Sequence, residues 1–161
     1  MELIVVSGLE HPEQIVDLFT EYTKMLVEVE PSFAGYLKQQ NYQHEIEDLP
    51  DKYGSPDGVL HLILADGKPA GCIGLRKLDE TRCEMKRLYV RLVFRGIGIG
   101  DMLVDTLIAD AKRHGYKAML LDTFTFLNRA IEMYRKRGFY EIEKYLETPM
   151  DDITLYMQLD L

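Results

Sequence analysis

The chain contains no tryptophan, two cysteines and six prolines among its 161 residues. No apolar run approaches the roughly 18–20 residues that span a bilayer. Cys72 and Cys83 are too few for a disulfide framework and lack metal-ligand spacing, so they read as buried thiols in a reducing cytoplasm. The four histidines, His11, His44, His61 and His114, are scattered and form no His-Glu-x-x-His pair, so no metal is expected. Residues Met1 to Ser7 lack a charged leader and a small-residue cleavage site; they read as a first strand rather than a signal peptide, and a cytoplasmic location is expected. Basic charge is scarce as well. With 27 Asp+Glu against 19 Lys+Arg the net charge is −8, which disfavours nucleic acid and anionic membrane as partners, since both need clustered cations.

What is present is a folded core. Hydrophobic residues make up 47% and charged residues 29%, too apolar for a disordered chain and ordinary for a globular one. The length predicts one domain over residues 1–161. After a strand at 3–6, His11-Pro12-Glu13 opens a helical pattern with Ile15, Leu18, Phe19, Tyr22, Met25, Leu26 and Val29 at spacings of three and four, stopped by Pro31. Residues 32–48 are consistent with a second, weaker helix or an ordered loop, and 49–58, with two prolines and two glycines, read as loop.

Strands at 59–65, 69–77 and 83–90 form an antiparallel meander, turning at Asp66-Gly67-Lys68 and at 78–82. A helix follows the glycine-rich loop 95–100 and is capped by Gly115; a strand at 117–122, a helix at 128–137 ending at Gly138, and strands at 139–144 and 153–159 complete the chain. Strand–helix alternation confined to the second half argues an α/β fold, a mixed sheet with helices on both faces.

Arg95-Gly96-Ile97-Gly98-Ile99-Gly100-Asp101 is the most informative segment. Glycines at alternate positions strip side chains from a turn entering a helix N-terminus, where free N–H groups and the positive dipole end favour a phosphate. Residues 82–100 carry five cations (Arg82, Lys86, Arg87, Arg91 and Arg95) against Glu84 alone, whereas residues 28–58 carry seven acids and two bases. The loop matches neither G-x-G-x-x-G nor a Walker A sequence. By itself it is open to two readings, a phosphate cradle and a plain strand-to-helix turn.

Arg95-x-x-Gly98-x-Gly100 resembles the pyrophosphate motif R/Q-x-x-G-x-G/A of the GNAT superfamily of acetyl-CoA-dependent N-acyltransferases, and it follows a strand, Glu84 to Val90, of the kind that precedes that motif. Asn128 to Phe139 resembles the family's N-x-x-A-x-x-x-Y-x-x-x-G-F segment. Two motifs in the right order are more specific than either alone. The chain departs from many members at Ile97, where a base is common, and at Leu92, where proline is.

The resemblance implies a GNAT fold whose parallel strands at 84–90 and 118–122 splay around the pantetheine arm of acetyl-CoA. It implies a cofactor site formed by backbone groups of Leu88, Tyr89 and Val90, the turn Arg95, Gly96, Ile97, Gly98, Ile99, Gly100 and Asp101, together with Asn128 and Lys136, with Arg91 as a further cation. The implied reaction is direct attack of a primary amine, expected to be that of a small molecule, on the acetyl thioester. Glu84 is the candidate base and Tyr134 the candidate acid toward the departing thiolate. For Glu84, an ion pair with Arg82, Lys86 or Arg87 is the competing reading; for Tyr134, a core packing role; for Asn128, a helix N-cap. A non-catalytic acyl-CoA sensor is the alternative from another class, and a nucleotide-binding protein a third. A homodimer is compatible with the resemblance. Phe33, Tyr36, Tyr42 and Tyr53, interleaved with Glu28, Glu30, Glu45, Glu47 and Asp48, are expected to form an amphipathic helix with a solvated acidic face rather than an acidic mouth for a cationic amine. Asp151-Asp152 reads as a solvated turn, and Asp122-Thr123 shows no triad partner.

Overall fold

The computed structural model describes residues 1–161. The elements run β1 (Leu3–Ser7), α1 (Pro12–Val29), α2 (Phe33–Gln39), α3 (Tyr42–Glu47), α4 (Leu49–Tyr53), β2 (Val59–Ala65), β3 (Lys68–Lys77), β4 (Arg82–Val90), α5 (Ile99–Arg113), β5 (Ala118–Phe124), α6 (Asn128–Lys136), β6 (Tyr140–Ile142) and β7 (Thr154–Asp160). Seven strands form one sheet in the order β1-β2-β3-β4-β5-β7-β6. Every neighbouring pair is antiparallel except β4–β5, which is parallel.

The expected mixed α/β sheet is the observed one, and the main departures lie between residues 32 and 58. The stretch 32–48 holds two short helices, and 49–58 is not all loop. Asp48 accepts a hydrogen bond from Asp51 N–H at 3.3 Å, which starts α4, and Pro50 fits its first turn because no N–H is needed there. Capping chemistry thus outweighed the breaker signal of two prolines. The strand expected at 139–144 is only three residues long.

Alternation along the strands divides the core. Ile63, Ile73, Leu75, Cys83, Met85, Met119 and Leu121 meet α5 and α6 on one face, while Leu60, Leu62 and Cys72 meet Ile15, Leu18 and Phe19 of α1 and Tyr53 of α4 on the other. Burial of each such side chain contributes about 1.5–3 kcal/mol. A third cluster joins Leu26, Phe33 and Tyr36 to Phe124 and Met150, closing the α1–α2 corner over the far end of β5.

The sheet opens in its middle. Strands β4 and β5 pair only from Arg82 to Glu84 against Ala118 to Leu120, although both continue beyond that point. On its other edge β4 carries a bulge: Cys72 pairs with Tyr89 and Gly74 with Lys86, so Ile73 faces both Arg87 and Leu88. Arg87 sits at φ +60°, in the left-handed region. A bulge of this kind bends its strand, and here the bend turns β4 away from β5.

Candidate active site

The divergence of β4 and β5 creates a cleft of about 850 Å³. Leu88, Tyr89 and Val90 form one wall. Tyr89 and Val90 pair with Cys72 and Gly71 of β3, so the opposite edge of β4, beyond its last pair with β5, faces the cleft. The turn from Arg95 to Asp101 closes one end. Gly96 and Gly98 have φ +82° and +89°, a conformation glycine adopts without strain. A Cβ on either would meet no atom within 4 Å, so the cleft side of the turn is open. The first hydrogen bond of α5 runs from Met102 N–H to the Gly98 carbonyl at 3.0 Å, leaving the earlier N–H groups free of helical partners, as at any helix start. This end can hold an anion through its backbone.

The charge pattern converges on that turn less than the sequence suggested. Arg95 lines the cleft, its Nε donating to the Val90 carbonyl at 2.9 Å and its guanidinium 5.8 Å from the Tyr89 ring centroid. Lys136 lines it too. Arg91 is outside, paired to Glu21 at 2.6 Å. Arg82 pairs with Asp79 at 2.8 Å, and Arg87, although it lines the cleft away from the turn, is engaged by Glu45 at 2.9 Å. Period-2 alternation and the bulge disperse cations that are neighbours in sequence.

Among the other sequence candidates, Gly96, Gly98, Ile99, Gly100, Asp101 and Asn128 line the cleft, whereas Ile97 does not and is 49% exposed. Asn128 is the first residue of α6, and Leu127 occupies the N-cap position, so the capping role considered for Asn128 is not the one it has. Tyr134 lines the cleft from α6, buried, and burial drives its hydroxyl well above the ordinary phenol range, with Tyr22 and Asp122 adding to the effect.

Glu84 lies deeper. It is 2% exposed and is not a wall residue of the cleft. Tyr145 donates its hydroxyl to Oε2 at 2.7 Å, Arg76 Nε stands 3.1 Å from Oε1, and Lys86 Nζ is 3.9 Å away. Of the three ion-pair partners considered from the sequence, Lys86 is near, while Arg82 and Arg87 bind other acids; the partner in closest contact, Arg76, comes from β3.

A carboxylate that the sequence shows without a triad partner does reach the cleft. Asp122 on β5 lines it, and also lines an adjoining recess of about 50 Å³ between the sheet and helices α1 and α2. Burial raises its pKa above the ordinary Asp value; Lys86 and Arg87 oppose that, and Glu84 adds to it. The missed signal is positional. Asp122 is two residues past the last β4–β5 pair, on the same face as Glu84, at the lip of the opening.

The aromatic and acidic segment resolves into both outcomes. Glu28, Glu47 and Asp48 are exposed, as expected of a solvated face. Glu45 is instead buried, accepting from Arg87 Nε at 2.9 Å, from Lys52 Nζ at 2.7 Å and from the Tyr53 hydroxyl at 2.9 Å. Phe33 and Tyr36 line the recess, and Tyr53 is wholly inside the core. Cys72 and Cys83 are buried and unpaired. No group of three or more His, Cys, Asp or Glu is placed to hold a metal ion, and no helix is long and apolar enough to cross a membrane.

Comparison with known proteins agrees with this geometry. The sequence profile of the Acetyltransferase (GNAT) family matches residues 15–139. An uncharacterized N-acetyltransferase of Schizosaccharomyces pombe is 35% identical over 98% of this chain and 95% of its own length. In fold, the chain is similar to a GNAT-family acetyltransferase from Staphylococcus aureus (TM-score 0.80, 18% identity, 99% of both chains). It is also similar to the PaiA N-acetyltransferase of Thermoplasma acidophilum in complex with coenzyme A (TM-score 0.74, 17% identity, 100% of both chains). A splayed parallel strand pair, a bare glycine turn at a helix start and a profile match across most of the sequence converge on one conclusion: the chain belongs to the GNAT acetyltransferase family and is an acyltransferase.

Proposed function

We propose that the protein transfers the acetyl group of acetyl-CoA to the primary amine of a small molecule. The observation that carries this reading is the continuous path along the cleft, from the backbone turn at Gly96–Gly100, past the free edge at Leu88–Val90, to Tyr134 and Asp122. The turn suits a diphosphate by its dipole and N–H groups, helped by Arg95 and Lys136. The free edge of β4 offers hydrogen bonds to an amide-bearing arm as a further strand would, and an N–H there polarises the thioester carbonyl. Coenzyme A bound to the Thermoplasma relative supports the ligand class.

In the reaction the neutral amine nitrogen forms a bond to the acetyl carbon, the carbon–sulfur bond breaks, the thiolate takes a proton from the Tyr134 hydroxyl, and the proton that the nitrogen sheds in becoming an amide passes through solvent to restore that hydroxyl. The ammonium form of the acceptor, with a pKa near ~10, must first lose a proton. We assign that proton to Asp122, whose carboxylate lines the cleft. Glu84, the base expected from the sequence, is assigned a positioning role because Arg76 and Tyr145 engage its oxygens and Lys86 stands beside it. Tyr134 and Asp122 together favour catalysis over a purely ligand-sensing role.

The test is a thiol-release screen with acetyl-CoA over polyamines, amino acids, aminoglycosides and peptides, followed by kinetics of Tyr134→Phe, Asp122→Asn and Glu84→Gln. Loss of turnover in the first two with retained acetyl-CoA binding supports the assignment. Full turnover in both removes it, and a Glu84→Gln loss with Asp122→Asn intact returns the base to Glu84.

A further inference from the structure

The acceptor end of the cleft carries a charge arrangement that acetyl transfer alone does not require. The parallel register pairs Glu84 with Leu120, so continuing it by two residues sets Lys86 opposite Asp122. The strands have already separated there. Lys86 and Asp122 therefore stand on opposite sides of the opening, and both line the cleft and the adjoining recess, with no ion pair between them.

Lys86 is in an unusual position for a lysine. Its side chain is 8% exposed, its ammonium makes no hydrogen bond within the chain, and the one carboxylate oxygen within 4.0 Å is Glu84 Oε1 at 3.9 Å. That carboxylate already has Arg76 at 3.1 Å and the Tyr145 hydroxyl at 2.7 Å. The neighbouring Arg87 is satisfied by Glu45 at 2.9 Å and by Gln40 at 3.1 Å. An ammonium on a largely buried side chain, open at its tip and with only a shared, distant counter-ion, gains from a ligand anion placed against it.

The remaining walls are mixed, with Gln40, Arg87, Thr123 and Thr154 beside a majority of hydrophobic side chains. Leu26, Phe33, Tyr36, Phe124 and Met150 enclose the recess, whose volume of about 50 Å³ suits a short aliphatic group. A ligand there therefore meets a cation, a carboxylate and a cluster of apolar side chains within one opening. We infer that the acceptor is an α-amino acid with an aliphatic side chain, its carboxylate on Lys86, its amine on Asp122 and its side chain in the recess beneath Phe33 and Phe124. This inference rests on the acetyl-transfer reading, which it narrows to a substrate class.

The test uses three matched acceptors with acetyl-CoA: L-leucine, L-leucinamide and 3-methylbutylamine, the last two lacking the carboxylate. Wild-type protein is expected to prefer leucine by at least tenfold in kcat/KM over both. Lys86→Gln should raise the KM for leucine at least tenfold more than the KM for 3-methylbutylamine, and so abolish the preference; Lys86→Arg should restore part of it. In parallel, thermal stabilisation of wild-type protein by leucine in the presence of coenzyme A should disappear in Lys86→Gln. Equal or better turnover of the amine or the amide overturns the inference while leaving acetyl transfer intact. So does an unchanged preference in Lys86→Gln. Acetyl-CoA binding with no turnover and no stabilisation by any of the three also overturns it. Failure of acetyl-CoA to bind at all removes the underlying acetyl-transfer reading instead.

Discussion

Arg87 Nε donates to Glu45 Oε2 at 2.9 Å, and Arg87 Nη2 donates to Glu45 Oε1 at 3.0 Å, a two-point ion pair between the bulge of β4 and helix α3. Both side chains are buried. The pair fastens the residue with φ +60° that bends β4 away from β5, so a contact 42 residues apart in sequence helps hold the cleft open. Removing one partner strands the other charge in the interior, which costs about 3–5 kcal/mol. Glu45→Ala should therefore lower the unfolding midpoint sharply in denaturant melts and weaken acetyl-CoA binding together with it.

The same pair predicts an acid limb of stability. Burial pushes the Glu45 carboxyl up, but the Arg87 guanidinium and Lys52 ammonium outweigh it and hold the group at about 2, below its ordinary 4.5. A carboxyl depressed in the folded state stabilises fully above its unfolded pKa and loses that contribution as pH falls through the folded one. Denaturant melts of the wild type should lose stability between about pH 4.5 and pH 2. Glu45→Gln should flatten that part of the profile.

Tyr134→Phe deletes only a hydroxyl. Loss of a positioned general acid typically costs about 10²–10⁴ in rate. The expected outcome is a kcat reduced within that range and an unchanged dissociation constant for acetyl-CoA, measured by calorimetry. Because burial raises the Tyr134 pKa well above the phenol range, the group stays protonated through neutral pH and the alkaline limb of kcat should not arise from it.

Asp122 should set the acidic limb of kcat/KM. Burial lifts its pKa above the ordinary Asp value while Lys86 pulls it down, so Lys86→Met should shift that limb to higher pH and Asp122→Asn should abolish it. A pH–rate profile of the three proteins decides this, since a merely structural Lys86 would leave the limb in place.

Two glycine substitutions separate backbone strain from space. Gly98→Ala meets no neighbour within 4 Å, yet φ +89° disfavours alanine by about 1–2 kcal/mol. It should weaken acetyl-CoA binding severalfold. Gly35→Ala is equally uncrowded but lies within α2 at an ordinary helical φ, where alanine gains about 0.5–1 kcal/mol. It should raise the melting temperature and leave binding unchanged.

Much of this was legible in the sequence because it depends on local rules. The strands 59–65 and 83–90 declare themselves by composition and turns, and the glycine turn by its spacing before a helix. Tyr134 and Asn128 came from a motif carried on one short helix. The helices between residues 33 and 53 were obscured because Pro50 and the short periodicity argue against them, while Asp48 capping and burial of Tyr36, Leu49 and Tyr53 argue for them. Lys86 and Asp122 could not be paired from sequence. Their relationship depends on which strands lie side by side, on the parallel register at Glu84 and Leu120, and on the point where that register stops. Glu84 drew attention by its offset from Arg95, but its surroundings are supplied by Arg76 and Tyr145, which are distant in the chain or on another strand.

The central claim, that the glycine turn and the opening between β4 and β5 form one binding site for acetyl-CoA, is tested most directly by calorimetric titration of acetyl-CoA into protein freed of endogenous ligand. The expected result is saturable binding at one site per chain, weakened severalfold in Gly98→Ala. Absence of any heat or saturation with folded protein, across temperatures that rule out a zero-enthalpy crossing, would contradict it.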